Sequence, residues 1–152
     1  MNDSISAPDP IATRQHWMSV LARAPAEAIE AGLTPPPAWT RVRGPETGLV
    51  MVRGRAGGSG SPFNLGEMTV TRCTVRLESG VAGHAYIAGR DERRAELAAV
   101  ADALLQDPDR GACLRNSLIL PLAAAQREQR LTRAEKAAAT KVEFFAMRNM
   151  RS

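Results

Sequence analysis

From Glu67 to Leu77 the chain alternates regularly enough to decide much of its fold. On an extended backbone Thr69, Thr71, Cys73, Val75 and Leu77 face one way. Met68, Val70, Arg72, Thr74 and Arg76 face the other. Glu78-Ser79-Gly80 supplies a tight turn, and Val81 to Ala88 returns. On that return Val81, Gly83, Ala85 and Ile87 share one side, with His84 and Tyr86 opposite. Upstream, Thr47 to Ala56 reads as another strand, with Leu49, Met51, Arg53 and Arg55 on one side and Val50 and Val52 on the other. Trp39 to Arg43 reads as an edge strand set off by a Gly44-Pro45 turn, and Gly57-Gly58-Ser59-Gly60 as a flexible loop. Strands joined so closely are most simply antiparallel neighbours, so the pattern predicts a meander of about four strands.

A sheet of this kind needs a cover, and the flanks supply helical spacing. After a small, polar, proline-containing lead-in (residues 1–12), Thr13 is a candidate N-cap, and Trp17, Val20, Leu21 and Ala24 recur at helical intervals. Pro25 suits the first turn of a second helix, with Ala28, Ile29 and Leu33 as its buried side. Gly32 and Pro35-Pro36-Pro37 end it. Asp91 is an N-cap for a helix to about Gln106, with the stripe Leu97, Val100, Ala101, Leu104 and Leu105. Asp107 to Gly111 reads as a turn, and Leu118-Ile119-Leu120 is too short to classify. Pro121 opens another helical stretch, and Thr132 with Glu135 has capping-box spacing for a fresh start. The last helix places Ala134, Ala138, Val142 and Phe145 on one stripe beside Phe144, and Val142, Phe144 and Phe145 are its candidate docking side chains. The expected whole is a single α+β domain over residues 13–152, with N- and C-terminal helices packed on an antiparallel sheet.

The charge pattern narrows the partners. The net charge is +4, and 18 of the 20 basic residues are Arg, whose planar fork pairs bidentately with phosphate or carboxylate. Arg53, Arg55, Arg72 and Arg76 share parity within their own strands, and in a suitable register they would make one basic face. That face would suit a polyphosphate or an acidic protein. The Gly57, Gly58 and Gly60 loop beside Arg53 and Arg55 could cradle phosphate through backbone N–H groups. It lacks the P-loop lysine and hydroxyl, lacks the dinucleotide fingerprint, and leads into a strand rather than a helix. A plain hairpin loop explains it as well. His84 is the one candidate base with some context, but no Ser, Cys or carboxylate stands at a spacing that makes a catalytic set. Cys73 alternates with Thr71 and Val75 as a small core residue, and no cluster has metal-ligand spacing. Two distant cysteines, no visible signal peptide and no apolar run near 20 residues predict a soluble chain of a reducing cytoplasm, with no membrane partner.

Several runs, in order, carry more than their separate meanings. They are Thr13-Arg14-Gln15-His16-Trp17-Met18-Ser19-Val20-Leu21-Ala22, Pro45-Glu46-Thr47-Gly48-Leu49-Val50, the Arg55…Gly57-Gly58…Gly60 loop and Thr69-Val70-Thr71-Arg72. Gly89-Arg90-Asp91, Asp102-Ala103-Leu104 and Phe144-Phe145 complete the series. Together they resemble the G subunit of the bacterial carbon–phosphorus lyase machinery for phosphonate breakdown. The likeness spans all but residues 1–12 and the tip around Thr34–Ala38. It implies membership of a core complex with subunits H, I and J. In that complex the I subunit, aided by G, H and an L subunit, joins an alkylphosphonate to the ribose of a purine nucleoside triphosphate and displaces the base. With methylphosphonate the product is α-D-ribose 1-methylphosphonate 5-triphosphate. The J subunit, with an iron–sulfur cluster and S-adenosylmethionine, later cleaves the carbon–phosphorus bond. The resemblance assigns no catalytic, cofactor-binding or metal-binding residue to this chain and implies no cofactor of its own.

The expectation is therefore a required, non-catalytic subunit that contacts I directly, with Arg53, Arg55, Gly57, Gly58, Gly60, Arg72, Arg76, His84 and Arg90 as candidate subunit or phosphate contacts. The competing readings are a stand-alone Arg-rich module for nucleotides or nucleic acid, and a small enzyme with His84 as base. Few aromatic residues (4%) argue against a base-stacking platform, so no nucleic-acid partner is expected.

Overall fold

The computed structural model describes residues 9–55 and 59–140. The chain forms α1 (Pro10–Leu21), α2 (Ala26–Gly32), β1 (Trp39–Arg55), β2 (Pro62–Leu77), β3 (Ala82–Ala88), α3 (Glu92–Leu105), α4 (Gly111–Leu114), a π turn (Arg115–Ile119) and α5 (Leu120–Ala139). The three strands make one antiparallel sheet in the order β1-β2-β3, the expected meander.

Two of the expected strands are one. Trp39 to Arg55 runs through Gly44-Pro45 without a turn, and register shifts between Arg41 and Arg43 and between Arg43 and Glu46 absorb the irregular residues. β1 lies at the edge of the sheet, where a proline without an N–H is tolerated at a bulge. The alternation of β2 holds: Thr71, Cys73, Val75 and Leu77 are buried, while Arg72 and Arg76 are exposed. The β2–β3 turn closes as Leu77 N–H donates to Val81 O at 3.0 Å, with Gly80 at φ 89°, a conformation that side chains disfavour.

α3 is the central helix. It lies on β2 and β3 with one side, and α1, α2 and α4 pack around the rest. From Ala98 to Leu105 every residue is buried. Small side chains make this possible. A Cβ on Gly83 would stand 2.0 Å from Ala99 O and 2.6 Å from Ala103 N, so the strand and helix touch through backbone. Asp91 caps α3 as expected, accepting from Arg94 N–H at 2.9 Å. α1 starts earlier than expected: Asp9 is the cap, accepting from Ile11 N–H at 3.0 Å, with Pro10 at the first helical position. Thr13 instead donates its hydroxyl to Asp9 O.

The segment that sequence left unclassified, Leu118-Ile119-Leu120, spans the end of the π turn and the start of α5, and it buries Leu118 and Ile119. The helix continues through Thr132 and Glu135, so the capping-box spacing marks no new start. From Arg127 to Thr140 it is exposed throughout. None of the described helices is long and apolar enough to cross a membrane.

Candidate functional site: an assembly surface

The polar residues with the most partners point inward and hold the fold. Asp102 stands on buried α3 with no exposed surface. Arg14 grips it with Nη2 at 2.7 Å and Nε at 3.2 Å, and Trp17 Nε1 donates at 2.9 Å. The backbone N–H of His84 on β3 donates to it at 2.9 Å, and Gln106 Nε2 at 3.3 Å. One carboxylate thus ties α1, α3 and β3. The ion pair raises the pKa of Arg14, chiefly through its hydrogen bond to Asp102. Shallow clefts of about 490 and 500 Å³ flank Arg14, one reaching Met18 and His84, the other Trp17 and Arg115.

Two more nodes follow the same logic. Thr71, also fully buried, donates to Gly89 O at 2.6 Å, accepts from Asp91 N–H at 3.3 Å and lies 3.3 Å from the hydroxyl of Thr47. Glu96 takes the Arg41 fork at 2.7 and 2.8 Å and the Trp39 indole N–H at 3.1 Å. Arg41 holds the Glu96 carboxyl below the ordinary glutamate range, mainly by hydrogen bonding, against the opposite pull of burial. Burial pushes the Cys73 thiol up; its Sγ donates to Arg43 O at 3.5 Å.

The candidate contacts from sequence fall into separate places. Arg72 and Arg76 lie on the sheet face away from α3, with His84 and Tyr86. There Glu46 bridges Arg72 (Nε, 3.1 Å) and Arg43 (Nε, 3.2 Å), beside a cleft of about 150 Å³ that Tyr86 and Val70 also line. His84 Nδ1 pairs with the Thr74 hydroxyl at 3.1 Å. Arg53 and Arg55 do not join this face. Glu46 pairs with Arg72 and Leu49 with Thr69, so even-numbered residues of β1 share the side of Arg72, and Arg53 and Arg55 share the opposite one with Leu49 and Met51. The single basic face is therefore corrected to two, because the register joins even to even. Arg55 Nη1 donates to Gly60 O at 3.3 Å, and Arg90 is exposed in the bend before α3. Gly57, Gly58, Val142, Phe144 and Phe145 lie outside the described residues.

Sequence reasoning missed the Asp102 and Glu96 nodes as sites. The available signal was a carboxylate inside the apolar run Ala98 to Leu105, which must be paired if buried. Among the described residues no group of three His, Cys, Asp or Glu side chains is placed to hold a metal ion.

Part of the outward surface is apolar and extended. β3 pairs with β2 from Val70 to Arg76, so beyond that point β1 and β2 continue as a two-stranded ribbon. Leu49, Met51, Phe63, Leu65 and Met68 are all exposed on it. A ribbon of two strands is marginal alone in water, and exposed apolar groups of this size mark interaction surfaces.

Comparison with known proteins spans most of the chain rather than one site. Residues 12–149 match the family model described as phosphonate metabolism protein PhnG. The chain belongs to the PhnG family. It is 46% identical over 140 residues to the protein named alpha-D-ribose 1-methylphosphonate 5-triphosphate synthase subunit PhnG of Rhizobium meliloti (strain 1021), covering 90% of this chain and 89% of that one. Family membership agrees with the resemblance carried by the motif series and does not favour a stand-alone nucleic-acid module. The motif segments also meet in space. Arg14 and Trp17 reach Asp102, and Thr47, Thr71, Gly89 and Asp91 converge on one hydroxyl.

Proposed function

We propose that this chain is a non-catalytic but required subunit of an α-D-ribose 1-methylphosphonate 5-triphosphate synthase in organic phosphonate catabolism. In this reading it supports an I-type subunit as that subunit transfers the ribose 5-triphosphate of ATP or GTP onto methylphosphonate and releases the purine base. It contacts I directly, sits with H and J in a core complex, and acts with L. The nucleotide and the iron–sulfur chemistry belong to those partners, and the whole acts in the cytoplasm. The observation that carries this is the relative at 46% identity, covered over 89% of its length, whose name is that of a synthase subunit.

The geometry supports a role in assembly. Asp102 and Glu96 are committed to arginine forks, and Arg93 pairs with Glu30 and Arg72 with Glu46. The outward surface offers instead an open ribbon with exposed apolar side chains. A subunit that binds partners needs such a surface, on the order of 1,000 Å² or more in total, and needs no activated residue.

Reconstitution tests the reading. The other synthase subunits, purified with and without this chain, are given ATP and methylphosphonate, and adenine release is followed. Release is expected only when the chain is present, and the chain is expected to co-purify with the I subunit. Equal release without it, or a chain that stays monodisperse and ignores its co-expressed partners, rules the proposal out.

A further inference from the structure

Among the described residues β1 is an edge strand, with no strand beside it on one side of its backbone. Exposed edges template unwanted pairing, and proteins blunt them with bulges, prolines and charge. Here the blunting is concentrated in one half, with one further register shift between Val52 and Arg53. Trp39 to Glu46 contains two register shifts, Pro45 and the charges of Arg41, Arg43 and Glu46. Thr47 to Val52 contains none of these. It pairs regularly with Thr71 to Gly66, carries no charge and is rich in β-forming residues. A six-residue segment of that kind, left open, is an aggregation hazard. Its side chains also lack cover, with Leu49 62% and Met51 53% exposed. Just beyond it Arg53 and Arg55 project from the same face, and neither has a carboxylate partner among the described residues.

We propose that Thr47–Arg55 receives an extended strand from another subunit of the synthase, added to the sheet beside β1. The inference rests on the subunit reading above. A strand is the occupant the edge selects. A helix laid across the face would cover Leu49 and Met51 but leave the edge N–H and C=O groups unpaired, whereas a strand pairs them along about 30 Å at roughly 3.3 Å per residue. Its alternate side chains cover Leu49 and Met51, and carboxylates at its end meet Arg53 and Arg55. A second copy of this chain fits less well. Two-fold pairing along this edge sets same-face residues of the two β1 strands opposite one another, and Glu46, the one carboxylate of β1, lies on the other face, so neither arginine gains a carboxylate from the strand it faces.

Amide hydrogen exchange resolved by peptide tests this, on the chain alone and on the complex purified after co-expression with the other subunits. In the complex, alternate amides of Thr47–Arg55 are expected to exchange at least about tenfold more slowly than in the free chain. The double substitution Arg53→Glu with Arg55→Glu is expected to speed dissociation about tenfold or more and to leave the urea midpoint of the free chain unchanged. A complex that forms while this segment exchanges as in the free chain overturns the strand proposal and leaves the subunit reading intact. If no complex forms, the subunit reading falls and takes this inference with it. Protection in the free chain that grows with its own concentration assigns the edge to a second copy and overturns the proposed occupant.

Discussion

Replacing Asp102 with Asn keeps shape and volume and removes one acceptor, so it isolates what the buried carboxylate does. All of its side-chain contacts are with donors: Arg14 Nε, Arg14 Nη2, Trp17 Nε1, His84 N–H and Gln106 Nε2. An amide must turn its NH₂ toward some of them. In the position of Oδ2 it faces Arg14 Nη2, His84 N–H and Gln106 Nε2; in that of Oδ1 it faces Arg14 Nε and Trp17 Nε1. The second choice orphans fewer groups. The buried Trp17 N–H then costs about 1–3 kcal/mol. The weakened Arg14 contact adds about 1 kcal/mol, kept small because that side chain is 34% exposed and partly screened. The expected loss is about 3 kcal/mol, or a fall in Tm of about 10 °C for a domain of this size. Urea unfolding followed by far-UV circular dichroism measures it, with the m-value unchanged. Arg14→Ala is expected to cost at least as much, since it leaves the buried Asp102 carboxylate without its countercharge. A D102N midpoint within about 0.5 kcal/mol of the parent would refute the reasoning, because two donors cannot lose an acceptor in this setting at so small a cost.

Gly83→Ala is expected to destabilise by about 3 kcal/mol or more in the same assay, since the new methyl meets the backbone of α3 at 2.0 Å. Gly48→Ala, with nothing within 4 Å of the added Cβ, is the matched comparison and should change stability by about 0.5 kcal/mol or less. Because Arg41 holds Glu96 below the ordinary glutamate range, the folded state takes up that proton less readily than the unfolded chain. The stabilising contribution of Glu96 is complete above the unfolded value of about 4.3 and is lost as pH falls through the depressed one. Midpoints measured from pH 7 to pH 3 should therefore show Glu96→Gln weaker at neutral pH and converging with the parent on acidification; a constant gap would contradict it. In a thiol-reagent titration Cys113, which is exposed, should react at once, and buried Cys73 only on unfolding.

Sequence showed the elements well where local chemistry sets them. The alternation of β2 and β3, the Gly80 turn and the Asp91 cap are each written in a few neighbouring residues. It misled where two local signals compete. Asp9 and Thr13 are both good caps, and Pro10 favours the earlier one. Gly44-Pro45 is turn chemistry, yet an edge strand can take it in as a bulge. Thr132 and Glu135 have the right spacing for a new helix, but no Gly or Pro interrupts the helix already running. The candidate site was harder to read for a different reason. Arginine parity within each strand was legible, whereas the sharing of a face depends on register across the β1–β2 loop. Two partners of Asp102, Trp17 and Arg14, lie 85 and 88 residues away on α1, and nothing local announces them.

The inward polar framework and the proposed contact surface use largely different residues, although the motif series runs through both (Leu49 and Arg55 belong to it), and that separates two kinds of variant. Arg14, Trp17, Asp102, Thr71, Gly89 and Asp91 belong to the motifs and are occupied in holding helices to sheet. Arg53, Leu49 and Met51 are exposed on a ribbon that no described helix covers at these residues. Substitution in the first group acts through stability, so the amount of complex recovered should track the folded fraction of the free chain and recover at lower temperature. Substitution at the ribbon acts on the contact itself, so recovery should fall with stability unchanged and should not return on cooling. If D102N and the Arg53→Glu, Arg55→Glu pair lost complex with the same temperature dependence, the division between an inward polar framework and an outward binding edge would be wrong.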